Sequence, residues 1–191
     1  MEVTITMAKS LIFVATGFED VEMLTVVDML RRAGIEIDMV SITGELEVTS
    51  SHSVVIKADK LFENADIDSA DMLILPGGLL GTKNLLAYKP LTDKLIEFNN
   101  SGKFLAAVCA APSILGALGI LEGKNATCYP GFEEKLTGAK YQKKPVIRDG
   151  NIITSRGMGT CIDFSGEIIT ALDSAKKAEE IKAKIIYNDT Y

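Results

Sequence analysis

The segment KFLAAVCAAPSILGAL, from Lys103 to Leu118, predicts a buried strand that runs directly into a helix. Phe104 to Val108 is an unbroken apolar run, which is typical of a central strand covered on both faces. Pro112 suits the first turn of a helix, where its missing N–H would have no intrahelical partner. Cys109 lies at the junction, and this order of strand, sharp turn and helix predicts a nucleophile elbow.

The predicted surroundings of Cys109 favour reactivity. A side chain beside the free N–H groups of a helix start experiences a field that favours thiolate over thiol. Ala107, Ala110 and Ala111 supply the small neighbours that such an elbow needs. However, free cysteines are also among the most buried residues. The local sequence therefore leaves open whether Cys109 is a nucleophile or a small core residue.

Length and composition predict one globular domain. The chain has 191 residues, of which 47% are hydrophobic and 24% charged, close to the globular average. No apolar run approaches the roughly 20 residues that a membrane-spanning helix needs, so we expect no membrane segment. We expect residues 1–9 to form an N-terminal extension and residues 10–191 a single domain.

Charge and cysteine content narrow the class of protein further. A net charge of -6 argues against general nucleic-acid binding, which needs clustered Lys and Arg. Cys109, Cys128 and Cys161 are widely spaced, and no signal peptide precedes them, which indicates reduced thiols in a cytoplasmic protein. With His52 as the single histidine, we expect no metal site and no cofactor.

Strand and helix patterns alternate along the chain. Strands are predicted over residues 10–15, 35–42 and 72–75, and helices over residues 20–33 and 90–100. Such βαβ units indicate a parallel sheet with right-handed crossovers. The expected fold is therefore an α/β sandwich with helices on both faces and functional groups on loops at the carboxyl ends of the strands.

Hairpins, caps and terminal helices complete the prediction. Asp149-Gly150 is a strong hairpin signal, and a second hairpin is expected around the turn that contains His52. Another strand is predicted over residues 126–129, and two helices over residues 161–172 and 174–186. Asp20 or Thr16 is expected to cap the first helix, and Thr160 to cap the helix over residues 161–172 in a capping box with Asp163.

Glu22 is the carboxylate best placed to exchange a proton with Cys109. In a doubly wound sheet, the loops after the first and central strands lie side by side, which brings Glu19, Asp20 and Glu22 toward the cysteine. Asp20 is expected to serve as a cap, and Glu19 precedes the helix, which leaves Glu22 as the proton donor or acceptor. An acidic residue in a first turn also complements the helix dipole, so both interpretations stay open.

Two further features bear on the site. Gly77 and Gly78 end the strand over residues 72–75, where glycines permit close approach of a ligand to the backbone. No histidine is adjacent to Cys109, and His52 lies in a hairpin, which weakens a Cys/His protease interpretation. Cys161 is a minor rival nucleophile at a helix start, but it is expected to be a packed helix residue, and Cys128 an inert strand residue.

The motifs FVATGFEDVE, LILPGG, AAVCAAP and TSRGMGT, in this order and spacing, resemble the ThiJ/PfpI family. The resemblance is strongest to the branch of the parkinsonism-associated protein deglycase and its bacterial chaperone relatives, and it covers about residues 10–186. It implies a flavodoxin-like three-layer α/β/α sandwich with a mostly parallel central sheet, of the class I glutamine amidotransferase-like kind. It also implies a homodimer, whose contact we expect on the first helix and the His52 hairpin.

The resemblance also implies roles for individual residues. Cys109 takes the position of the nucleophile and Glu22 that of its protonated glutamate partner. Gly77 and Gly78 match backbone donors that face a bound oxyanion, and Arg156 matches the arginine of a loop behind the site.

Two departures from the family pattern stand out. Many relatives have a histidine where this chain has Tyr129, and close relatives have an arginine in the hairpin where this chain has His52. A phenol with a pKa near 10 is a poor base at neutral pH but a serviceable hydrogen-bond donor. We therefore expect turnover to depend on Glu22, with Glu19 and Tyr129 contributing to substrate binding.

The expected function is a cysteine-dependent glyoxalase or deglycase. Cys109 would attack methylglyoxal, glyoxal or an early adduct of either with a protein side chain, and Glu22 would shuttle the proton to give a hydroxy acid. Backbone N–H groups near Gly78 and Ala110 would hold the oxyanion. The alternative is a non-catalytic oxidative-stress sensor or redox-regulated chaperone in which Cys109 is oxidised to a sulfinate. A third possibility, a role in thiamine-precursor metabolism, is not supported, because the sequence contains no phosphate-binding loop.

Overall fold

The computed structural model describes residues 8–187. Its strands, in chain order, are β1 (Lys9–Val14), β2 (Glu36–Ser41), β3 (Glu47–Thr49), β4 (Val55–Lys57), β5 (Lys60–Leu61), β6 (Met72–Leu75), β7 (Phe104–Val108), β8 (Asn125–Ala126), β9 (Lys140–Tyr141), β10 (Val146–Asp149) and β11 (Ile152–Ser155). Its α-helices are α1 (Asp20–Ala33), α2 (Leu79–Ala87), α3 (Lys89–Asn100), α4 (Pro112–Ala117), α5 (Cys161–Leu172) and α6 (Ala175–Lys184).

A seven-stranded sheet in the order β10-β11-β7-β6-β1-β2-β5 forms the centre of the molecule. Every neighbouring pair is parallel except β10 with β11, which form the hairpin predicted around Asp149-Gly150. The carboxyl ends of β1, β6, β7 and β11 therefore meet at one edge, as expected for βαβ units. The prediction of an α/β fold with a mostly parallel central sheet is confirmed.

The alternating side chains of β1 show how the layers are arranged. Ile12 and Val14 pack in one hydrophobic cluster with α1, α5 and α6, whereas Leu11 and Phe13 pack in a second cluster with α2, α3 and α4. All four side chains are fully buried, because helices cover both faces of the sheet. The result is the expected three-layer sandwich.

Helix α1 has the predicted bounds and ends at Gly34, whose φ of 78° is readily adopted by glycine. Its predicted caps are wrong, since the carboxylate of Glu19 accepts the hydrogen bond from the Glu22 N–H at 2.7 Å. Asp20 instead contacts His52. The capping box predicted at Thr160 is also wrong, because its hydroxyl bonds to Gly157 and Ser155 rather than to the first turn of α5.

Helix α2 was not predicted from the sequence. Gly81 inside it argues against a helix by intrinsic propensity. In the structure, a Cβ at this position would lie 2.9 Å from the carbonyl oxygen of Gly17, so the glycine permits the helix to pack closely against the loop after β1. Tertiary packing thus overrides the local preference.

The strand predicted over residues 126–129 is wrong beyond β8. The N–H of Thr127 donates to the hydroxyl of Thr154, and the N–H of Tyr129 donates to the carbonyl of Cys109, so the chain leaves the ladder and follows the ends of β7 and β11. Cys128 is consequently a buried residue of an irregular segment, not of a strand.

The termini and the short hairpin complete the fold. The predicted extension lies outside the described residues except for Ala8 and Lys9, and Lys9 already belongs to β1. Strands β3 and β4 form the predicted hairpin around His52, as a separate two-stranded sheet. Between residues 8 and 187, no helix has both the length and the apolar character needed to cross a membrane.

Candidate active site

Cys109 occupies a strained turn at the carboxyl end of β7. Its φ is +64°, a left-handed conformation that few residues other than glycine adopt. Two backbone hydrogen bonds hold it there: its N–H donates to the carbonyl of Ser155 at 3.0 Å, and its carbonyl accepts the N–H of Tyr129 at 2.8 Å. Helix α4 begins at Pro112, after the turn. This geometry agrees with the nucleophile elbow expected from the sequence.

Glu22 lies beside Cys109 and is 1% exposed. The N–H of Gly77 donates to its Oε2 at 2.9 Å, and the N–H of Met158 and the Cys109 side chain lie close enough to lower the pKa of the carboxyl group. Burial raises the pKa of Glu22 to about 7, with a smaller contribution from the charge of Glu19. A carboxyl group used only to complement the helix dipole would not need this enclosure, so the structure favours the role as partner of Cys109.

The pKa of Cys109 is also raised, to about 12, first by burial and then by the negative charge of Glu22. Hydrogen bonds from the N–H groups of Ala110 and Gly78 act in the opposite direction. The backbone N–H groups thus favour the thiolate, as expected from the sequence, but burial and the adjacent carboxylate outweigh them and raise the pKa of the thiol. The two groups form a coupled pair, in which ionisation of Glu22 raises the pKa of Cys109.

Gly77 positions the pair and does not act as a free oxyanion donor. Its N–H is already committed to Glu22. A Cβ on Gly77 would collide with the Glu22 carboxylate and would lie 2.6 Å from the Cβ of Cys109. The expected role of Gly77 in holding an oxyanion is thus corrected: it gives Glu22 a hydrogen bond and leaves room for both side chains.

Gly78 and Ala110 are the backbone donors that the structure directs toward the sulfur. Both N–H groups lie close enough to the thiol to lower its pKa. Gly78 has a φ of +89°, and a Cβ there would collide with the carbonyl oxygen of Gly17, so only glycine fits. An oxyanion formed on a carbon bonded to the sulfur would lie near the same two donors, as in an oxyanion hole.

A cavity of about 500 Å³ opens above Cys109. It brings together five of the predicted site residues, namely Glu19, Glu22, Gly78, Ala110 and Tyr129, around the cysteine. The Tyr129 side chain is half exposed, so its hydroxyl is accessible to a ligand.

Arg156 lies apart from this cavity. It lines a neighbouring depression with Tyr129, Gly157 and Met158, and its backbone N–H donates to the carbonyl of Pro145. Arg156 therefore borders a depression next to the Cys109 cavity and is not part of the lining of that cavity.

Four further residues of the lining were not predicted as site residues: His52, Leu79, Phe132 and Met158. Met158 belongs to the same TSRGMGT motif as Arg156, and its backbone N–H acts on the Glu22 carboxyl group. Leu79 starts the unpredicted helix α2. The sequence carries no comparable signal for Phe132.

One group of side chains has the composition of a cation site. Glu19, Asp20 and His52 each place a potential ligand atom within 4.8 Å of the others. These atoms already have protein partners: the Asp20 Oδ2 lies 2.9 Å from the His52 Nδ1, and the Glu19 carboxylate caps α1. The other carboxylate oxygen of Asp20, Oδ1, is buried and has no hydrogen-bond partner among residues 8–187.

The other two cysteines lie away from the cavity surface. Cys161 is 2% exposed, and its thiol donates to the carbonyl of Gly157 at 3.4 Å, while burial raises its pKa. Cys128 is fully buried, and burial raises its pKa to about 11. Cys161 is therefore the packed helix residue that was expected, and Cys109 is the accessible thiol of the three.

The sheet, the strained cysteine and the buried glutamate together define a flavodoxin-like α/β protein with a cysteine nucleophile elbow. The chain belongs to the DJ-1/PfpI family, whose sequence profile matches residues 8–171. The resemblance noted from the four sequence motifs is thereby confirmed.

Individual relatives agree with this assignment. The Parkinson disease protein 7 homolog of Danio rerio is 36% identical over 185 residues, which cover 95% of this chain and 98% of that protein. A protein of Pyrococcus abyssi named as a deglycase is 31% identical over 86% of this chain and 99% of its own. The chain spans only 41% of the length of protein DJ-1 homolog B of Arabidopsis thaliana, with 38% identity over 93% of this chain.

Solved structures show the same fold. Oxidized DJ-1 of Toxoplasma gondii superimposes with a TM-score of 0.91 at 32% identity, and the match covers 95% of this chain and 99% of that one. DJ-1beta of Drosophila melanogaster gives a TM-score of 0.90 at 32% identity, covering 97% of this chain and 100% of that one.

Proposed function

We propose that this protein converts 2-oxoaldehydes such as methylglyoxal, or glyoxal, to 2-hydroxy acids, acting on the free aldehyde or on its early adducts with protein side chains. The observation that carries the proposal is the Cys109–Glu22 pair at the base of an open cavity, with the N–H groups of Gly78 and Ala110 beside the sulfur. The pair supplies a nucleophile and a proton carrier, and the two N–H groups supply an oxyanion hole.

The first step forms a bond between the Cys109 sulfur and the aldehyde carbon. The thiol proton passes to Glu22, and the carbonyl electron pair moves onto oxygen, where Gly78 and Ala110 stabilise the charge. Glu22 then returns the proton to give a hemithioacetal. With an adduct on an amine, the sulfur takes the place of the amine at the same carbon, and the amine leaves with the proton.

The second step moves hydrogen within the substrate. Glu22 removes the proton from the sulfur-bearing carbon and returns it to the neighbouring carbon, through an enediol, which leaves a thioester of a 2-hydroxy acid. Water then breaks the carbon–sulfur bond and regenerates the thiol. The sum is R–CO–CHO + H2O → R–CHOH–COO⁻ + H⁺, so one carbon is oxidised as its neighbour is reduced, without an external oxidant.

A pKa of about 7 suits Glu22 for this work, because a carrier that both takes and gives a proton is most effective near the working pH. The half-exposed phenol of Tyr129 can donate a hydrogen bond to the second substrate oxygen. The relative from Pyrococcus abyssi that is named as a deglycase supports the choice of substrate.

A direct test measures lactate formed from methylglyoxal by the wild type, Cys109→Ser and Cys161→Ser. We expect Cys109→Ser to abolish the reaction. Cys161→Ser, which changes a buried thiol outside the cavity lining, serves as the matched control and should retain it. Lactate formation at the wild-type rate by Cys109→Ser would rule out the mechanism.

The same cavity supports a second candidate, an oxidative-stress sensor or redox-regulated chaperone. Two equivalents of hydrogen peroxide would convert the Cys109 thiolate to a sulfinate, with release of two water molecules. Protonated Glu22 and the N–H groups of Gly78 and Ala110 would donate hydrogen bonds to the new oxygens. Intact mass after mild peroxide treatment should show an increase of two oxygens that is absent from Cys109→Ser, and an unmodified wild type would exclude this function.

We also propose that the protein is a cytoplasmic homodimer, which does not bind membranes or nucleic acid generally. Val21 and Leu24 on α1 and Val54 and Val55 at the start of β4 are each at least 40% exposed. This surface coincides with the contact expected from the sequence. Sedimentation should report a dimer for the wild type and a shift toward monomer for Leu24→Lys, and a monomeric wild type would contradict the assignment.

A further inference from the structure

A second cavity of about 430 Å³ adjoins the one above Cys109. Leu79 and Phe132 line both cavities, so the two are neighbouring compartments that share these side chains. The second compartment lies between α2, α4 and the short 3₁₀ helix at Glu133–Lys135. Methylglyoxal, which carries only a methyl group beyond its reacting carbonyls, needs none of this space.

The walls of the second cavity are largely apolar. Leu79 and Leu86 are 64% and 39% exposed, and Ala117 lies at the opposite wall. The ring of Phe132 also faces the ammonium group of Lys135, whose Nζ lies 4.3 Å from the ring centroid. An aromatic group bound here would pack on Phe132 and Leu79. This contact would bury apolar surface of the cavity wall that is otherwise exposed to water.

Thr82 gives the cavity a specific polar feature. The residue is 5% exposed, and within residues 8–187 its Oγ1 has no hydrogen-bond partner. Ser113, in the same lining, differs because its hydroxyl donates to the carbonyl of Ala110 at 2.6 Å. The Oγ1 atom is itself enclosed, so a ligand reaches it only when the Thr82 side chain rotates toward the cavity. A buried hydroxyl without a partner is costly, and a hydrogen bond formed in this way recovers that loss.

We propose that the second cavity binds an aromatic group attached to the reacting 2-oxoaldehyde, and that Thr82 hydrogen-bonds a polar atom on the far side of that group. The inference rests on the proposed function and specifies the substrate class as arylglyoxals and related adducts that carry a ring. The reacting carbonyls remain over Cys109, the ring passes Leu79 and Phe132, and its distal substituent meets the Thr82 hydroxyl.

Three substrates of increasing reach test this assignment: methylglyoxal, phenylglyoxal and 4-hydroxyphenylglyoxal. Ala117→Phe fills the second cavity from an exposed position, and Ala183→Phe makes the same change on the exposed surface of α6 as a control. We expect Ala117→Phe to lower the ratio of kcat/KM for phenylglyoxal to that for methylglyoxal by about tenfold or more. The control should leave the ratio unchanged. An unchanged ratio in Ala117→Phe would overturn the assignment.

Thr82→Val removes the hydroxyl while keeping the shape of the side chain. In the wild type, we expect 4-hydroxyphenylglyoxal to be preferred over phenylglyoxal in kcat/KM by roughly fivefold, a preference that Thr82→Val should abolish. Retention of the preference in Thr82→Val, or its absence from the wild type, would overturn the role of Thr82.

Binding of 4-hydroxymandelate, the hydroxy acid with the same ring, tests the aromatic subsite independently of the proposed enzymatic function. If no aldehyde is turned over, the proposed function fails, but calorimetry with this acid still examines the cavity. We expect Ala117→Phe to weaken its binding about tenfold relative to Ala183→Phe. Equal dissociation constants would overturn the aromatic subsite whether or not the protein is an enzyme.

Discussion

The N–H of Gly77 donates a hydrogen bond to the carboxylate of Glu22 at 2.9 Å, across 55 residues of sequence. Gly77 lies in the loop after β6, and Glu22 lies in the first turn of α1, so this bond connects the two segments that flank the elbow. A side chain at position 77 would occupy the space of the carboxylate and of Cys109. The arrangement of Cys109 and Glu22 therefore depends on the glycine at position 77.

Gly77→Ala should disable the site. The added Cβ would displace the Glu22 carboxylate and would lie 3.2 Å from the Cys109 sulfur, so we expect at least a tenfold loss of lactate formation and about 1–3 kcal/mol of destabilisation. Gly159→Ala is the matched control, because a Cβ there meets no atom within 4 Å. Urea unfolding and lactate formation measure the two effects. Wild-type turnover by Gly77→Ala would contradict the close packing described here.

Ionisation of Glu22 should make stability dependent on pH. Its pKa is raised from 4.5 to about 7 on folding, so the folded state favours the protonated form, and stability falls as pH rises through this window. The shift corresponds to about 3 kcal/mol between pH 4 and pH 8.

Glu22→Gln should remove this contribution, which urea unfolding at several pH values can measure. We expect the free energy of unfolding of the variant to vary less between pH 4 and pH 8 than that of the wild type. Glu45→Gln, a change at an exposed residue outside the cavity, is the control. Parallel pH profiles for the wild type and Glu22→Gln would show that the Glu22 carboxyl does not titrate abnormally.

Tyr129 should contribute as a hydrogen-bond donor and not as a base. Tyr129→Phe keeps the ring and removes the hydroxyl, and we expect a loss of about threefold to tenfold in kcat/KM for methylglyoxal. Tyr129→His places an imidazole at the half-exposed position in the lining, and we expect it to turn over faster than Tyr129→Phe. Steady-state kinetics at pH 7 measure both. Equal activity of wild type and Tyr129→Phe would leave the phenol with no role in the reaction.

The predictable parts of the molecule were those that depend on local pattern. The unbroken apolar run of β7 predicted the central strand and the position of Cys109, because a strand covered on both faces is apolar throughout. The helical spacing of apolar residues predicted α1. The topology predicted that Glu22 lies near Cys109, because loops at the same edge of a parallel sheet lie close together.

The errors concern features that arise only in the folded chain. The Gly77 N–H is committed to Glu22 through a contact between distant segments. The Cys109 pKa depends on enclosure, which no single motif encodes. Helix α2 depends on the close approach of Gly81 to Gly17.

The pH dependence of Cys109 alkylation, in the wild type and in Glu22→Gln, examines whether the two groups are coupled. Iodoacetamide labelling followed by intact mass gives the rate at each pH, with Cys109→Ser to confirm that the label is on this thiol. In the wild type, the rate should stay low near pH 7, where Glu22 loses its proton first, and should rise only as the thiol itself ionises, toward pH 12. In Glu22→Gln, the negative charge that raises the pKa of the thiol is absent, and the apparent pKa of alkylation should move downward. An apparent pKa that is unchanged or higher in Glu22→Gln would contradict the coupling of the two groups and, with it, the role of Glu22 as proton carrier.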